Sequence, residues 1–162
     1  MNRPIPPQAI SLIRKYEGLR LFAYGDPGTG GEPWTIGYGH TGGVYKGDTI
    51  SASEAERILE LDLLKFGKGV ESLIRSPILL NDNQFSALIS FSFNLGLERL
   101  RQSALLANLN SGNLEAAGKA FLHWTHAGGK ELPGLVKRRK EESELFLTPM
   151  PVLIAQETSN GN

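Results

Sequence analysis

The spacing of apolar residues along the chain changes period twice, and each change marks a change of element. From Pro7 to Glu17 the period is helical, with Ile10, Ile13 and Glu17 falling on one face. Pro6 and Pro7 suit a helix start, where a missing N–H costs nothing, and Gly18 suits a left-handed stop. Between residues 19 and 50 the runs "RLFAYGD", "PWTIGYGH" and "GVYKGDTI" are short, aromatic and β-branched, and glycine turns separate them. That pattern predicts a small antiparallel sheet of three strands. The helical period then returns. Ser51 with Glu54 three residues on is a capping-box signature, and Ala55, Ile58, Leu59, Leu61, Leu63 and Leu64 continue it into one long helix, weakened at Gly67 and Gly69. The remainder reads as helical throughout: "LNDNQFSALISFSFNLG" has a polar start and a glycine stop, "RQSALLANLNSGN" and "LEAAGKAFLHW" follow, and "GLVKRRKEESELFL" closes the fold. The architecture expected is α+β, a small antiparallel sheet lobe and a larger helical lobe joined by the long helix. Residues 1–148 form a single two-lobed domain in this reading, and residues 149–162 a loose tail whose "VLIA" is able to cover a small apolar patch.

Composition narrows the function classes. With 162 residues, 40% of them apolar and 21% charged, the chain has the balance of one globular core. Seventeen Lys and Arg cancel seventeen Asp and Glu, so net charge gives no reason to expect a nucleic acid or an anionic membrane as partner. No cysteine is present, which excludes disulfides, zinc-thiolate sites and a thiol nucleophile. The N-terminal "MNRPIPPQAISLIRKYEG" has no apolar stretch of signal-peptide length, and no segment approaches the roughly 18 apolar residues of a membrane span. The expectation is a protein made and accumulated in the cytoplasm, without stable membrane association.

Several motifs carry less than they suggest. "GYGHTG" at residues 37–42 matches the GxGxxG of nucleotide-binding loops, but no helix opens after it and no βαβ unit surrounds it. His40, His123 and His126 lack the neighbouring acids that would complete a metal site, so no metal is expected. "KRRKEESE" reads as a solvated helix face laced with i, i+4 pairs. Trp34, Trp124, Phe85, Phe91 and Phe93 read mostly as core.

Glu17 differs in kind. A carboxyl on the apolar face of a short helix, at the end where the helix dipole disfavours negative charge, is biased toward its protonated form. A carboxyl that keeps its proton is what protonation of a poor leaving group requires, and glycoside cleavage couples such an acid to a second, ionised carboxylate. Asp26, nine positions on in a polar turn, is able to supply that group, and Thr35 a hydroxyl that holds a water. The plain alternative is that Glu17 pairs with an arginine such as Arg20 or Arg138 while Asp26 merely begins a turn.

Glu17, then "AYGD", "TIGYGHT", "QFSALISFSFNLG" and "RRKEESELF", in that order over about residues 8–147, closely resemble the phage-type lysozymes of glycoside hydrolase family 24. The resemblance implies a cofactor-independent endolysin. Such an enzyme cleaves the β-1,4 bond between N-acetylmuramic acid and N-acetylglucosamine in bacterial peptidoglycan, acts as a monomer, and relies on a separate holin-like membrane-permeabilising factor to reach the wall. Carried over by position, Glu17 is the general acid, while Asp26 and Thr35 hold the water. Phe93 and Asn94 line the sugar cleft, His40 pairs with Asp62, and either Arg138 or Arg139 closes over the acid. Eight residues separate Asp26 from Thr35, a longer hairpin than the family usually has, and Glu32 inside it competes with Asp26 for the role of second carboxylate. A catalytically silent peptidoglycan-binding or scaffold module of the same fold is the alternative.

Overall fold

The structure is a computed structural model that describes residues 3–151, so the "VLIA" segment lies outside the described residues. Helix α1 (Pro7–Glu17) starts on proline and stops at Gly18, whose φ of 67° suits glycine. It buries Ala9, Leu12 and Ile13 against the rest of the core. Strand β1 (Arg20–Tyr24) follows and pairs antiparallel with β2 (Thr35–Gly37), Tyr24 standing opposite Thr35 and Arg20 opposite Gly37.

The third strand expected here does not form. "GVYKGDTI" contributes an isolated bridge between Thr49 and Phe22, with two flanking hydrogen bonds to β1. Gly43 and Gly47 adopt φ of 69° and 91°, and the Asp48 carboxylate accepts from the Tyr45 amide at 2.8 Å. Those turns fold the segment on itself before a ladder extends.

Helix α2 (Ala52–Leu73) is capped by Ser51, whose hydroxyl accepts from the Glu54 amide at 3.1 Å. It runs unbroken through Gly67 and Gly69, correcting the expected weak point. A Cβ on Gly67 would lie 2.9 Å from Ile5 Cδ1, and one on Gly69 2.3 Å from Leu97 Cδ1, so both glycines are close-approach positions. Helix α3 (Asp82–Leu95) is the centre of the larger lobe and is buried continuously from Asn83 to Ser92. Asn81 and Gln84 close a capping box at its start, and Gly96 ends it at φ 94°.

Against α3 pack α7 (Pro133–Leu147), α2, α1 and α4 (Leu97–Gln102), while α5 (Ala104–Asn110) and α6 (Leu114–Ala120) pack on each other, α5 also meeting α4 and α6 meeting α7. Phe91 meets Phe121 and Trp124 edge-on at 5.6 and 5.5 Å, and the fully buried Phe91 and Phe121 contribute about 1.5–3 kcal/mol each.

Two further expectations are corrected in this lobe. The region is not helical throughout: β3 (His126–Ala127) and β4 (Lys130–Glu131) form a hairpin whose two turn residues, Gly128 and Gly129, both have positive φ. A Gly-Gly pair between short segments is a hairpin signal that helical periodicity overrode. Nor is "KRRKEESE" a solvated face. Arg138 is 4% exposed, Arg139 and Glu142 0%, and Ser143 5%. These positions recur at i, i+1, i+4 and i+5, a helix stripe facing inward, and the charges tolerate burial because they pair with one another. Among the described residues no helix is long and apolar enough to cross a membrane.

Candidate active site

Glu17 is the last residue of α1, beside the turn that carries Gly39. Its side chain is 21% exposed, and Oε1 accepts a 2.8 Å hydrogen bond from Nη1 of the buried Arg138. The other oxygen faces the β lobe: a Cβ on Gly39 would lie 2.9 Å from Glu17 Oε2 and 3.6 Å from Phe93 Cε1. Gly39, Phe93, Phe66, His40, Asp62 and Lys65 line a groove of about 350 Å³. Phe93 is held in that wall by Phe66, ring centroids 5.2 Å apart.

The glycines of "GYGHTG" find their reason here. Ile36 and His40 exchange backbone hydrogen bonds of 2.9 Å in both directions across a tight turn, and Gly37 and Gly39 both take positive φ. Gly39 brings the turn's backbone against the Glu17 carboxylate, where any side chain would collide. The pattern is therefore a close-packed turn beside an acid, with no phosphate loop. His40 follows directly: Nδ1 is 2.7 Å from Asp62 Oδ2 on α2 and Nε2 is 2.8 Å from the Gly42 carbonyl, which fixes the ring between the turn and the long helix. Tyr38 on the same turn donates to Glu56 on α2 at 3.0 Å, and Arg14 of α1 pairs with Glu56. Arg14 holds the Glu56 carboxyl below its ordinary value, with Tyr38 adding to the effect.

Asp26 lies two residues past Tyr24, and Tyr24 pairs with Thr35, so the ladder puts Asp26 and Thr35 at the same end of the hairpin. Asp26 Oδ1 accepts from the Gly28 and Thr29 amides at 2.8 and 3.1 Å, and its carbonyl accepts from Thr29 and Gly30. The carboxylate thus closes its own turn. The loop between the two strands is tightly closed: a Cβ on Gly25 would lie 2.9 Å from the Gly30 carbonyl group. Thr35 is half-buried on β2, and Glu32 is exposed.

On the helical side, Asn94 Oδ1 accepts from Arg139 Nη2 at 2.8 Å. Of the two arginines named from the sequence, Arg138 reaches the acid, while Arg139 turns to Asn94 and Glu142. Sequence reasoning missed Glu142. Its carboxylate is 3.6 Å from Arg138 Nε and 3.3 Å from Arg139 Nη2, and burial pushes its carboxyl up to about 7 against the pull of Arg139 and Arg138. Burial likewise lowers the Arg139 value and raises that of Tyr16, whose ring lies 5.4 Å from the Arg138 guanidinium. The signal available in the sequence was the i, i+4 spacing of Arg138 and Glu142 within a helix too charged to look internal. His123 and His126 are exposed, and no group of three or more potential metal ligands occurs among the described residues.

A sequence model of the family described as "Phage lysozyme" matches residues 14–142. The chain is 44% identical to the endolysin of Bacillus phage B103, over 93% of this chain and 56% of that protein. It therefore spans little more than half the length of that relative. It is 41% identical to the endolysin of Salmonella phage P22, over 89% of this chain and 98% of that one. Among solved structures, the muramidase domain of SpmX from Asticaccaulis excentricus superposes with a TM-score of 0.80 at 39% identity, covering 91% of this chain and all of that domain.

Proposed function

The chain belongs to the phage lysozyme family, and on that premise we propose that it is an endolysin with muramidase activity, cleaving the β-1,4 bond between N-acetylmuramic acid and N-acetylglucosamine in bacterial peptidoglycan. The observation that carries the proposal is the two-sided setting of Glu17. Arg138 donates to Oε1 from inside the protein, and Oε2 faces Gly39, one of the residues that line the groove. That oxygen delivers the proton to the glycosidic oxygen as the leaving sugar departs. Asp26 and Thr35, at one end of the β1–β2 hairpin, hold the water that attacks the sugar carbon, and Glu32 stays outside the site. Phe93 supplies an apolar wall for the sugar rings, and Asn94, clamped by Arg139, a positioned amide next to it. The His40–Asp62 pair keeps the turn bearing Gly39 fixed on α2. The protein works as a monomer without cofactor, accumulates in the cytoplasm, and reaches the wall once a separate membrane-permeabilising factor opens the way.

Purified peptidoglycan incubated with the protein tests this reading. New reducing ends, identified by mass spectrometry as N-acetylmuramic acid, are expected. Glu17→Gln should lower the rate on the order of a hundredfold or more while the fold persists. Binding to peptidoglycan without release of reducing ends would establish the silent-module alternative, and N-acetylglucosamine ends would overturn the bond assignment.

A further inference from the structure

The groups behind Glu17 form one charge cluster. Arg138, 4% exposed, lies between two carboxylates: Nη1 donates to Glu17 Oε1 at 2.8 Å, and Nε is 3.6 Å from Glu142 Oε2. Glu142 is wholly enclosed, and the groups facing it are Arg138 and Arg139 on its own helix, Ser90 on α3, and Tyr16 on α1. Ser90 fixes the guanidinium further, its carbonyl accepting from Arg138 Nη2 at 3.1 Å. Glu142 also meets the second arginine, Arg139 Nε lying 2.6 Å from its Oε1. A buried ion cluster is costly for stability alone, and apolar residues would fill the space at less expense.

What the arrangement offers is a choice of counter-ion. A guanidinium keeps its charge at all working pH values, so Arg138 needs a carboxylate beside it. A general acid must carry a proton, and a protonated Glu17 no longer balances Arg138.

We propose that Glu142 is a positioning residue for the acid: it is the alternative counter-ion of Arg138, holding the guanidinium in place and balancing its charge whenever Glu17 carries the proton. Burial supports the exchange, because it pushes the Glu142 carboxyl up to about 7, so that Glu142 holds a proton it is able to release near neutrality. Substrate filling the groove drives water from Glu17 Oε2, disfavours the ionised form there, and moves that proton to the groove side, with Glu142 ionised in its stead. Glu142 touches no substrate in this scheme, and the inference rests on the muramidase reading only for its consequence in catalysis.

Two measurements on the full chain test it. In the first, the pH dependence of kcat/KM for peptidoglycan cleavage is compared between wild type and Glu142→Gln. Without Glu142 as counter-ion, Arg138 holds Glu17 ionised, so the alkaline limb is expected to move to lower pH by half a unit or more, with KM changed less than about twofold, and Glu142→Asp should restore it. A profile of unchanged shape, whether at full or reduced height, overturns the proposal, since a purely structural role lowers activity without moving the limb. The second reads the pair directly by 13C NMR titration of glutamate carboxyls in wild type and Glu17→Gln. Removing the charge of Glu17 leaves Glu142 as Arg138's sole partner, so the Glu142 midpoint is expected to fall, and an unchanged midpoint overturns the coupling even if Glu142→Gln does not fold. Absence of cleavage by wild type would refute the muramidase reading instead, and the titration would still decide whether the two carboxyls are coupled.

Discussion

Replacing Gly39 with alanine separates two consequences of one methyl group. Gly39 has φ 80°, where an L-residue costs about 1–2 kcal/mol, and the same backbone cost applies at Gly43, φ 69°, where a Cβ meets nothing within 4 Å. In a chain of this size both variants should lose about 2–4 °C of Tm per kcal/mol. They differ in what the new Cβ touches. At Gly39 it would lie 2.9 Å from Glu17 Oε2, inside the 3.4 Å at which ordinary contact begins. The carboxylate must retreat by about half an ångström, yet its other oxygen is pinned to Arg138 at 2.8 Å. Misplacement of a reacting group by about 1 Å costs on the order of a hundredfold, so half of that predicts roughly a tenfold loss for Gly39→Ala. Gly43→Ala should keep activity within about twofold of wild type, the range left when no reacting group moves. Thermal melts and initial rates of reducing-end release, on the same peptidoglycan preparation, supply both numbers. Equal activity in two equally destabilised variants would show that the oxygen facing Gly39 is not the one that works.

Three further outcomes are expected. Asp26→Asn should cost a hundredfold or more in rate while Glu32→Gln costs almost nothing; because the amide oxygen still accepts from Gly28 and Thr29, the loop survives and the loss reads chemistry, whereas the reverse pattern would transfer the role to Glu32. Gly69→Ala should destabilise the protein in urea melts by up to about 2 kcal/mol, since an overpacking cost against Leu97 of about 1–3 kcal/mol outweighs a helix-propensity gain of about 1 kcal/mol; a stabilised variant would restore Gly69 as a weak point of α2. Glu142, raised to about 7 in the folded state, binds a proton there that an unfolded carboxyl has released, so stability should decline as pH rises from the ordinary carboxylate range through about 7, with a slope of order 1 kcal/mol per pH unit that Glu142→Gln removes.

How much of this was legible in the sequence follows from the distance over which each feature is specified. The caps at Ser51 and Asn81 and the glycine stops at Gly18 and Gly96 involve neighbours a few residues away, and the helices they bound stand where the spacing put them. The missing third strand and the Gly128–Gly129 hairpin failed on the same local scale, because turn chemistry competed with a periodicity that was weighted more heavily. Gly67, Gly69 and Gly39 share a different cause. Each was a glycine with a local reading, a helix weak point or half of a nucleotide motif, and each is required by an atom from a distant element.

The charge cluster carries that lesson furthest. Periodicity assigns a helix its inner face by hydrophobicity, so a stripe of Arg138, Arg139, Glu142 and Ser143 is assigned outward although all four are buried. The burial follows from partners far away in the chain: Arg138 meets Glu17, 121 positions earlier, Arg139 meets Asn94, and Ser143 donates to the Gly118 carbonyl. Two buried cations need buried counter-charge, and Glu142, 3.6 Å from Arg138 Nε and 2.6 Å from Arg139 Nε, supplies it from their own helix. The carboxylate at the end of α1 and the charges on the inward face of α7 thus form one cluster written at two ends of the chain, and neither end by itself discloses it.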